Sequence, residues 1–435
     1  MPLISLAMIV KNEEATLAHC LKSVKPLVDE IVIVDTGSTD GTIEIAKGFN
    51  AKIHHFEWCD DFSAARNESI KHCTGDWLLV LDADEAIDPL DYKKICDACL
   101  NPSADAYSFI HRHYKSDPIL ATHDSETVPN VSAYSEGKDI PYYSDKETLR
   151  LVKVYDGLMF TGRIHEQISP SLISRGKSFV ALDAVIHHYG KLFAERLEYK
   201  TQYYLTLARQ EVEKNPSSAW AQFNLLQQAL VAGHWEVALG AAQACIDNGT
   251  NMEPYTLYGK GMALQELGRH NEAIESFDEL LTQAPHHALG MAQKGASLVA
   301  MGDINAGRQL VVRALELLPG YAPVHIYLAN LDYRLNNLNS ARNTALKALR
   351  IAPTVPSLYS LLLNIEVASN NQSEAAKYAL QGIRNCPRDG NLAWYRVASA
   401  YLLKEGQLED GKSVLDQGLI AFPDDPDLIK LRKMI

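Results

Sequence analysis

Ile4–Val10 is a largely apolar run that stops at the polar Lys11-Asn12-Glu13-Glu14. Apolar residues then return at helical spacing, Leu17, Leu21 and Val24, and predict a helix over Ala15–Val24. The alternation continues. Ile31–Val34 reads as a second buried strand, stopped by Asp35–Thr42 (DTGSTDGT), with a helix over Thr39–Gly48. Ala51–Phe56 reads as a third strand, Ser63–His72 as a helix and Trp77–Leu81 as a fourth strand. Continuous apolar strands between helices predict a parallel sheet covered on both faces. Right-handed crossovers then bring the polar segments after strands one, two and four to one edge, where such sheets bind ligands.

After Gly190 the pattern changes to Leu, Ala and Gln at helical spacing. Pro285, Pro319, Pro353 and Pro387 recur every 34 residues, and Pro423 follows 36 residues later. Gly261, Ala273 and Phe277 precede Pro285 at the small, small and aromatic places of a tetratricopeptide repeat. Gly295 and Ala314, then Ala329, Ala341 and Ala348, then Ala375, fall in the same register. Ala238 lies 35 residues before Ala273 and marks an earlier unit over Ala219–Asn248. The expectation is an all-α solenoid of about six helix pairs over 217–435. Residues 191–216 are expected to connect it to an α/β domain over 1–190.

Between the two patterned halves, residues 113–148 are polar, contain Pro118, Pro129 and Pro141, and show no clear period. They predict a long loop, either a lid or acceptor-binding element or a tolerated insertion.

The net charge of −13 argues against a nucleic-acid partner. It is concentrated in residues 1–190, with 29 acids against 18 bases. An anion bound there needs a metal or local cations. No apolar run is long enough to span a bilayer. The opening MPLISLAMIVKNEE lacks a basic leader and a small-residue cleavage site, and reads as a buried strand rather than a signal peptide. Seven scattered cysteines suit reduced thiols, hence a cytoplasmic location. Cys96-x-x-Cys99 has no second pair to complete a zinc site.

MIVKNEEATLAHCLKSV, DEIVIVDTGSTDGT, WCDDFSAARNESIKHCTGDWLLVLDADE and GRIHEQI, in that order over residues 3–190, resemble family-2 glycosyltransferases of the GT-A fold. The resemblance implies a sugar-nucleotide donor, a divalent cation (Mn²⁺ or Mg²⁺) and inversion at the anomeric carbon. It assigns Val10, Glu13 and Asp35 to the donor base and ribose; Asp35 serves equally as a turn acid. Arg66, one of five arginines in residues 1–190, becomes a diphosphate partner, with a surface ion pair to Asp60 or Asp61 as the alternative. Asp82-Ala83-Asp84 matches the DxD motif. On an extension of the fourth strand both carboxylates face one way and offer hard oxygen ligands to Mg²⁺ or Mn²⁺. The resemblance gives Asp84 the metal and Asp82 the ribose or a metal-bound water. Arg150 adds positive charge for the phosphates.

A His in a His-Tyr-Gly context often completes the metal shell in this family. His188 is preferred to His187 for that role, and alternation on a strand admits either. Gly162-Arg163-Ile164-His165-Glu166 resembles the family's Gly-x-x-His-Glu segment and places Glu166 first, and His165 second, as the base that takes the acceptor proton. Glu85 either caps the next helix or touches the sugar.

The joint architecture resembles bacterial peptide and flagellin glycosyltransferases, bacteriocin S-glycosyltransferases among them. It implies transfer of a hexose or N-acetylhexosamine, with UDP as the carrier, to a polypeptide presented by the repeats. Tyr258, Asn330, Tyr333, Asn364 and Tyr395 are candidate groove residues, each equally suited to core packing. The alternatives are the same chemistry on a cell-envelope glycan or lipid, with the repeats docking partners or forming a homodimer, and a scaffold with a degenerate transferase half. The intact Asp35, Arg66, Asp82 and Asp84 argue against the scaffold.

Overall fold

The computed structural model describes residues 2–116, 127–192, 194–249, 253–387 and 390–435. The apolar runs that open the chain form β1 (Ile4–Val10), β2 (Glu30–Asp35), β3 (Lys52–His55) and β4 (Trp77–Val80), parallel and in the order β3-β2-β1-β4. Helices α1 (Leu17–Val24), α2 (Thr42–Gly48) and α3 (Phe62–Lys71) connect them. Strand alternation explains why both faces are apolar. Leu6 and Met8 of β1 and Leu79 of β4 pack with Leu17, Leu21 and Val24 of α1. Ala7, Leu78 and Val80 point the other way and pack with Ile70 of α3. Each fully buried Leu, Ile, Val or Met side chain contributes about 1.5–3 kcal/mol to this core.

The sheet continues past β4. Strands β5 (Glu85–Ile87), β6 (Ala106–Lys115), β7 (Val128–Pro129), β8 (Tyr142–Lys153) and β9 (Phe179–His188) extend it as β4-β8-β6-β9-β5, with β7 on β8. β8 runs antiparallel to β4 and β6, β9 parallel to β6, and β5 antiparallel to β9. Helices α4 (Tyr92–Leu100) and α5 (Ser169–Ile173) complete this half. Residues 113–115 and 142–148, expected as loop, are therefore paired strand. Polar side chains pair across these strands. Arg112 makes two hydrogen bonds to Asp145, at 2.9 and 2.7 Å, and its guanidinium lies 3.7 Å from the Tyr143 ring centroid. Residues 117–126 of the expected loop lie outside the described residues.

Helix α6 (Ala194–Lys214) then leads into helix pairs: α7 (Ala219–Val231) with α8 (Trp235–Asp247), α9 (Glu253–Glu266) with α10 (His270–Gln283), and α11 (Ala288–Ala300) with α12 (Ile304–Leu317). After these come α13 (Ala322–Arg334) with α14 (Leu338–Ile351), α15 (Pro356–Ala368) with α16 (Gln372–Asn385), α17 (Leu392–Lys404) with α18 (Leu408–Ala421), and α19 (Pro426–Arg432). The recurrent prolines each sit in the turn after the second helix of a pair, where a missing N–H costs nothing. Small residues let the helices approach: a Cβ on Gly295 of α11 would stand 2.6 Å from the Gly307 carbonyl oxygen of α12. Side chains repeat with the period. His325 Nε2 lies 2.8 Å from the Pro319 carbonyl, and Tyr359, 34 residues on, donates to the Pro353 carbonyl at 2.6 Å.

The chain divides into two compact units, one holding the sheet with α6–α10 and the other holding α11–α19. In the first unit Ile164 and Phe62 pack with Leu205 and Ala208 of α6 and with Leu225 and Leu226 of α7. Helix α6 is thus part of a core shared with the sheet half. No disulfide joins any of the seven cysteines, and among the described residues no helix is long and apolar enough to cross a membrane.

Candidate active site

The site grows from the end of β4. Leu81 is buried, and the chain then turns: the Glu85 amide donates to the Asp82 carbonyl at 3.1 Å, and the Asp82 amide to Glu85 Oε2 at 2.8 Å. The DxD acids therefore occupy a tight turn into β5, not the extended continuation of β4 that alternation predicted. Their carboxylates meet different partners.

Asp82 faces two guanidiniums. Arg66 of α3 and Arg150 of β8 are only 4% and 8% exposed, and both bond its carboxylate, Arg150 at 3.3 Å. Burial pushes the Asp82 carboxyl up, but these two cations outweigh it and hold the group well below the usual carboxylate range. Arg150 Nη2 also donates to Glu85 Oε1 at 2.7 Å, and His111 Nε2 lies 2.7 Å from the same oxygen. Glu85 is wholly buried and serves this network. Arg66 is thus a buried bridge and not a surface partner of Asp60 or Asp61. Repulsion among the acids is relieved first by arginine.

Asp84 faces histidine. Its Oδ2 lies 3.5 Å from His188 Nε2, and its carbonyl accepts the Tyr189 amide at 3.0 Å. Burial raises the Asp84 carboxyl and lowers His188; their mutual attraction reverses both shifts, so Asp84 sits low and His188 high. A Cβ on Gly190 would stand 2.3 Å from Asp84 Oδ2 and 2.8 Å from His188 Nε2, so any larger residue there would displace these side chains. His187 points elsewhere, with Nδ1 2.7 Å from the Tyr114 hydroxyl. Burial pushes its imidazole down to about 4.

The sequence reading singled out neither His111 nor His113, both on β6. Pairing sets His113 opposite His188 on β9, and His188 opposite Glu85 on β5. His113 Nδ1 and His188 Nδ1 are 2.8 Å apart. The signal in the chain is His111-Arg112-His113, whose alternate residues share one face of a strand.

Glu166 is joined to the DxD turn through Arg66, whose Nε donates to its Oε1 at 3.1 Å. The preceding His165 has a left-handed φ of 50° and Gly162 a φ of 103°. A non-glycine residue in that region is strained and needs its surroundings to hold it. Here Gln228 of α7 bonds His165, Arg163 donates to Gln210 Oε1 at 2.6 Å, and the Arg163 carbonyl accepts the Phe62 amide at 3.0 Å.

At the neighbouring strand ends, Val10 pairs with Asp35. Asp35 is wholly buried, and its carboxylate accepts the Gly37 and Ser38 amides at 3.2 and 3.0 Å, closing its own turn; His55 Nδ1 lies 3.1 Å from it. The Glu13 amide donates to Thr42 Oγ1 at 2.7 Å.

A divalent cation fits the donor chemistry beside Asp84. One carboxylate and the imidazole of His188, with more imidazole nitrogen close by, is an oxygen–nitrogen set suited to a first-row cation. Of the candidate groove residues, Tyr258 and Tyr395 are 3% and 7% exposed and pack against Phe277 and Phe422, so they are core rather than groove. Tyr333 is half-buried against the α13–α15 core; Asn330 and Asn364 are exposed.

Residues 5–159 match the family described as Glycosyl transferase family 2, and residues 254–287 and 298–365 match Tetratricopeptide repeat families. The chain is 56% identical over 84 residues to a TPR repeat-containing protein of Synechococcus elongatus, covering 19% of this chain and 21% of that one. It is 28% identical over 219 residues to the SPbeta prophage-derived glycosyltransferase SunS of Bacillus subtilis, covering 50% and 47%. An uncharacterized glycosyltransferase of Rickettsia typhi is 40% identical over 84 residues, covering 19% and 28%. The chain thus spans less than half the length of each of these relatives. An N-terminal domain of glycosyl transferase family 2 followed by tetratricopeptide repeats is the architecture of this chain.

Proposed function

We propose that the protein is a metal-dependent inverting glycosyltransferase that moves a hexose or N-acetylhexosamine from a UDP-sugar to a side chain of a polypeptide held by the repeats. The observation that carries this reading is Arg66, one guanidinium bonded to both the DxD acid Asp82 and the candidate base Glu166. Donor-side and acceptor-side groups are then neighbours, as a single displacement requires.

The donor base and ribose lie along Val10, Glu13 and Asp35. Arg66 and Arg150 attract the diphosphate into a domain whose net charge would otherwise repel it. A divalent cation held by Asp84 and His188 would neutralise charge on the departing diphosphate. The acceptor oxygen or sulfur attacks the anomeric carbon from the face opposite the diphosphate. The new carbon–heteroatom bond forms as the bond to the phosphate oxygen breaks, and the electron pair leaves with UDP. Glu166 takes the acceptor proton, and His165 positions it. Phosphate oxygens compete with Glu166 for Arg66, so donor binding loosens Glu166 for that task.

Tetratricopeptide repeats suit an extended peptide acceptor, with Asn330 and Asn364 as its exposed candidate contacts. Seven cysteines without a disulfide favour the cytoplasm as the site of action. The test is incubation with UDP-glucose or UDP-N-acetylglucosamine, Mn²⁺ and the proteins of the source cell. A hexose or N-acetylhexosamine mass increment, matching the donor supplied, is expected on a polypeptide. Label appearing only in lipid would replace the acceptor, and no metal-dependent UDP release from any common donor would sink the transferase.

A further inference from the structure

We propose that His111, His113 and His188 form a three-imidazole cation site, which adjoins the metal centre of the proposed reaction and selects a borderline transition-metal ion over Mg²⁺. This rests on the proposed function for its purpose but not for its geometry.

One ring nitrogen from each histidine lies within 4.8 Å of one from each of the others. The rings form a tight group, with centroids 4.3 Å apart for His111 and His113, 4.7 Å for His113 and His188, and 5.0 Å for His111 and His188. Sheet pairing builds it: β6 supplies two alternate residues and β9 their neighbour. The 2.8 Å between His113 Nδ1 and His188 Nδ1 is near the edge of a coordination polyhedron. Two nitrogens at about 2.1 Å from one ion, on adjacent vertices, stand about 3 Å apart.

The surroundings match a metal site. The Glu85 carboxylate lies 2.7 Å from His111 Nε2, in the place of a carboxylate behind a ligating imidazole. Asp84 Oδ2 lies 3.5 Å from Nε2 of His188, the ring nitrogen opposite the one that faces His113, so this carboxylate stands behind the ring. The His188 and Asp84 side chains are 17% and 18% exposed, which leaves the group open to an incoming ion. Mg²⁺ prefers oxygen and water, whereas imidazole suits the later first-row ions, and the affinity of a nitrogen site rises from Mn²⁺ to Co²⁺ along the series.

The test uses the full chain, stripped by chelation and titrated with Mn²⁺, Co²⁺ and Mg²⁺. Mn²⁺ is expected to bind at least about tenfold more tightly than Mg²⁺. Pulsed electron paramagnetic resonance of the bound Mn²⁺ is expected to show two or more imidazole nitrogens. His113→Ala and His111→Ala are each expected to weaken Mn²⁺ about tenfold or more and to change the Co²⁺ absorption bands. A single imidazole nitrogen, or His113→Ala with unchanged Mn²⁺ affinity and Co²⁺ spectrum, overturns the site. The resonance measurement needs no variant to fold. A chain that shows these nitrogens but moves no sugar keeps the site and sinks the transferase; a chain that moves sugar with one nitrogen does the reverse.

Discussion

Gln228, on helix α7, bonds Nε2 of His165 at 2.7 Å and so ties a helix of the repeat half to the segment that carries the candidate base. His165 holds a left-handed φ of 50°, which local chain preference alone does not maintain. Gln228→Ala is expected to lower kcat by about 10- to 100-fold, because Glu166 follows directly and small displacements of reacting groups are costly. Donor KM is expected to change little. Steady-state kinetics with the UDP-sugar varied separates this from a general loss of folding, which would reduce active sites and leave kcat per folded molecule intact.

Arg150 is expected to matter for stability as well as for the donor. It is the guanidinium between Asp82 and Glu85, and Glu85 is wholly buried. Arg150→Met leaves buried carboxylates without that cation, at about 3–5 kcal/mol for a broken buried pair. Arg150→Met with Glu85→Gln is expected to recover part of the loss in urea unfolding.

How far the site was legible follows from where its residues lie. Ile4–Val10 was readable to the residue, because a strand buried on both faces is apolar along nearly its whole length, with Ser5 the one polar exception. The repeats were readable because Pro285, Pro319, Pro353 and Pro387 end successive helix pairs. β6 and β8 were not: Arg112, Asp145 and the buried Lys115, bonded to Thr127 at 2.8 Å, satisfy one another across strands and erase the apolar period. His111 and His113 were hidden with them, since only the pairing of β6 with β9 sets them beside His188. Asp82 and Asp84 were identified by motif, but the turn that sends one to arginine and the other to histidine depends on Glu85, a contact the pattern does not encode.

The repeats carry their own ion pairs in register. Arg308 pairs with Asp332, and 34 residues on Arg342 pairs with Glu366, both by two hydrogen bonds to a buried acid. Arg342→Ala is expected to destabilise the second unit by about 2 kcal/mol, the scale of hydrogen bonds to a charged group. Adding Glu366→Gln is expected to restore about half, read by chemical denaturation.

Glu30 gives an acid dependence away from the site. Burial raises its carboxyl, but the Lys52 ammonium and the Ser5 and Thr74 donors outweigh this and hold it at about 2. The folded value lies below the unfolded one, so the stabilisation is present above about pH 4.5 and is lost as pH falls toward 2. Glu30→Gln is expected to flatten the fall in Tm between pH 5 and pH 2.5 relative to the parent chain. Equal slopes would show that other carboxylates dominate.

The central claim is that one site holds a donor through Arg66, Asp82 and Asp84 and removes the acceptor proton through Glu166. Glu166→Gln keeps the shape and the contact with Arg66 but removes the base. UDP affinity, measured by calorimetry with Mn²⁺ present, is predicted to stay within about threefold, while sugar transfer falls by about 100-fold or more. Near-normal transfer by Glu166→Gln would contradict the account.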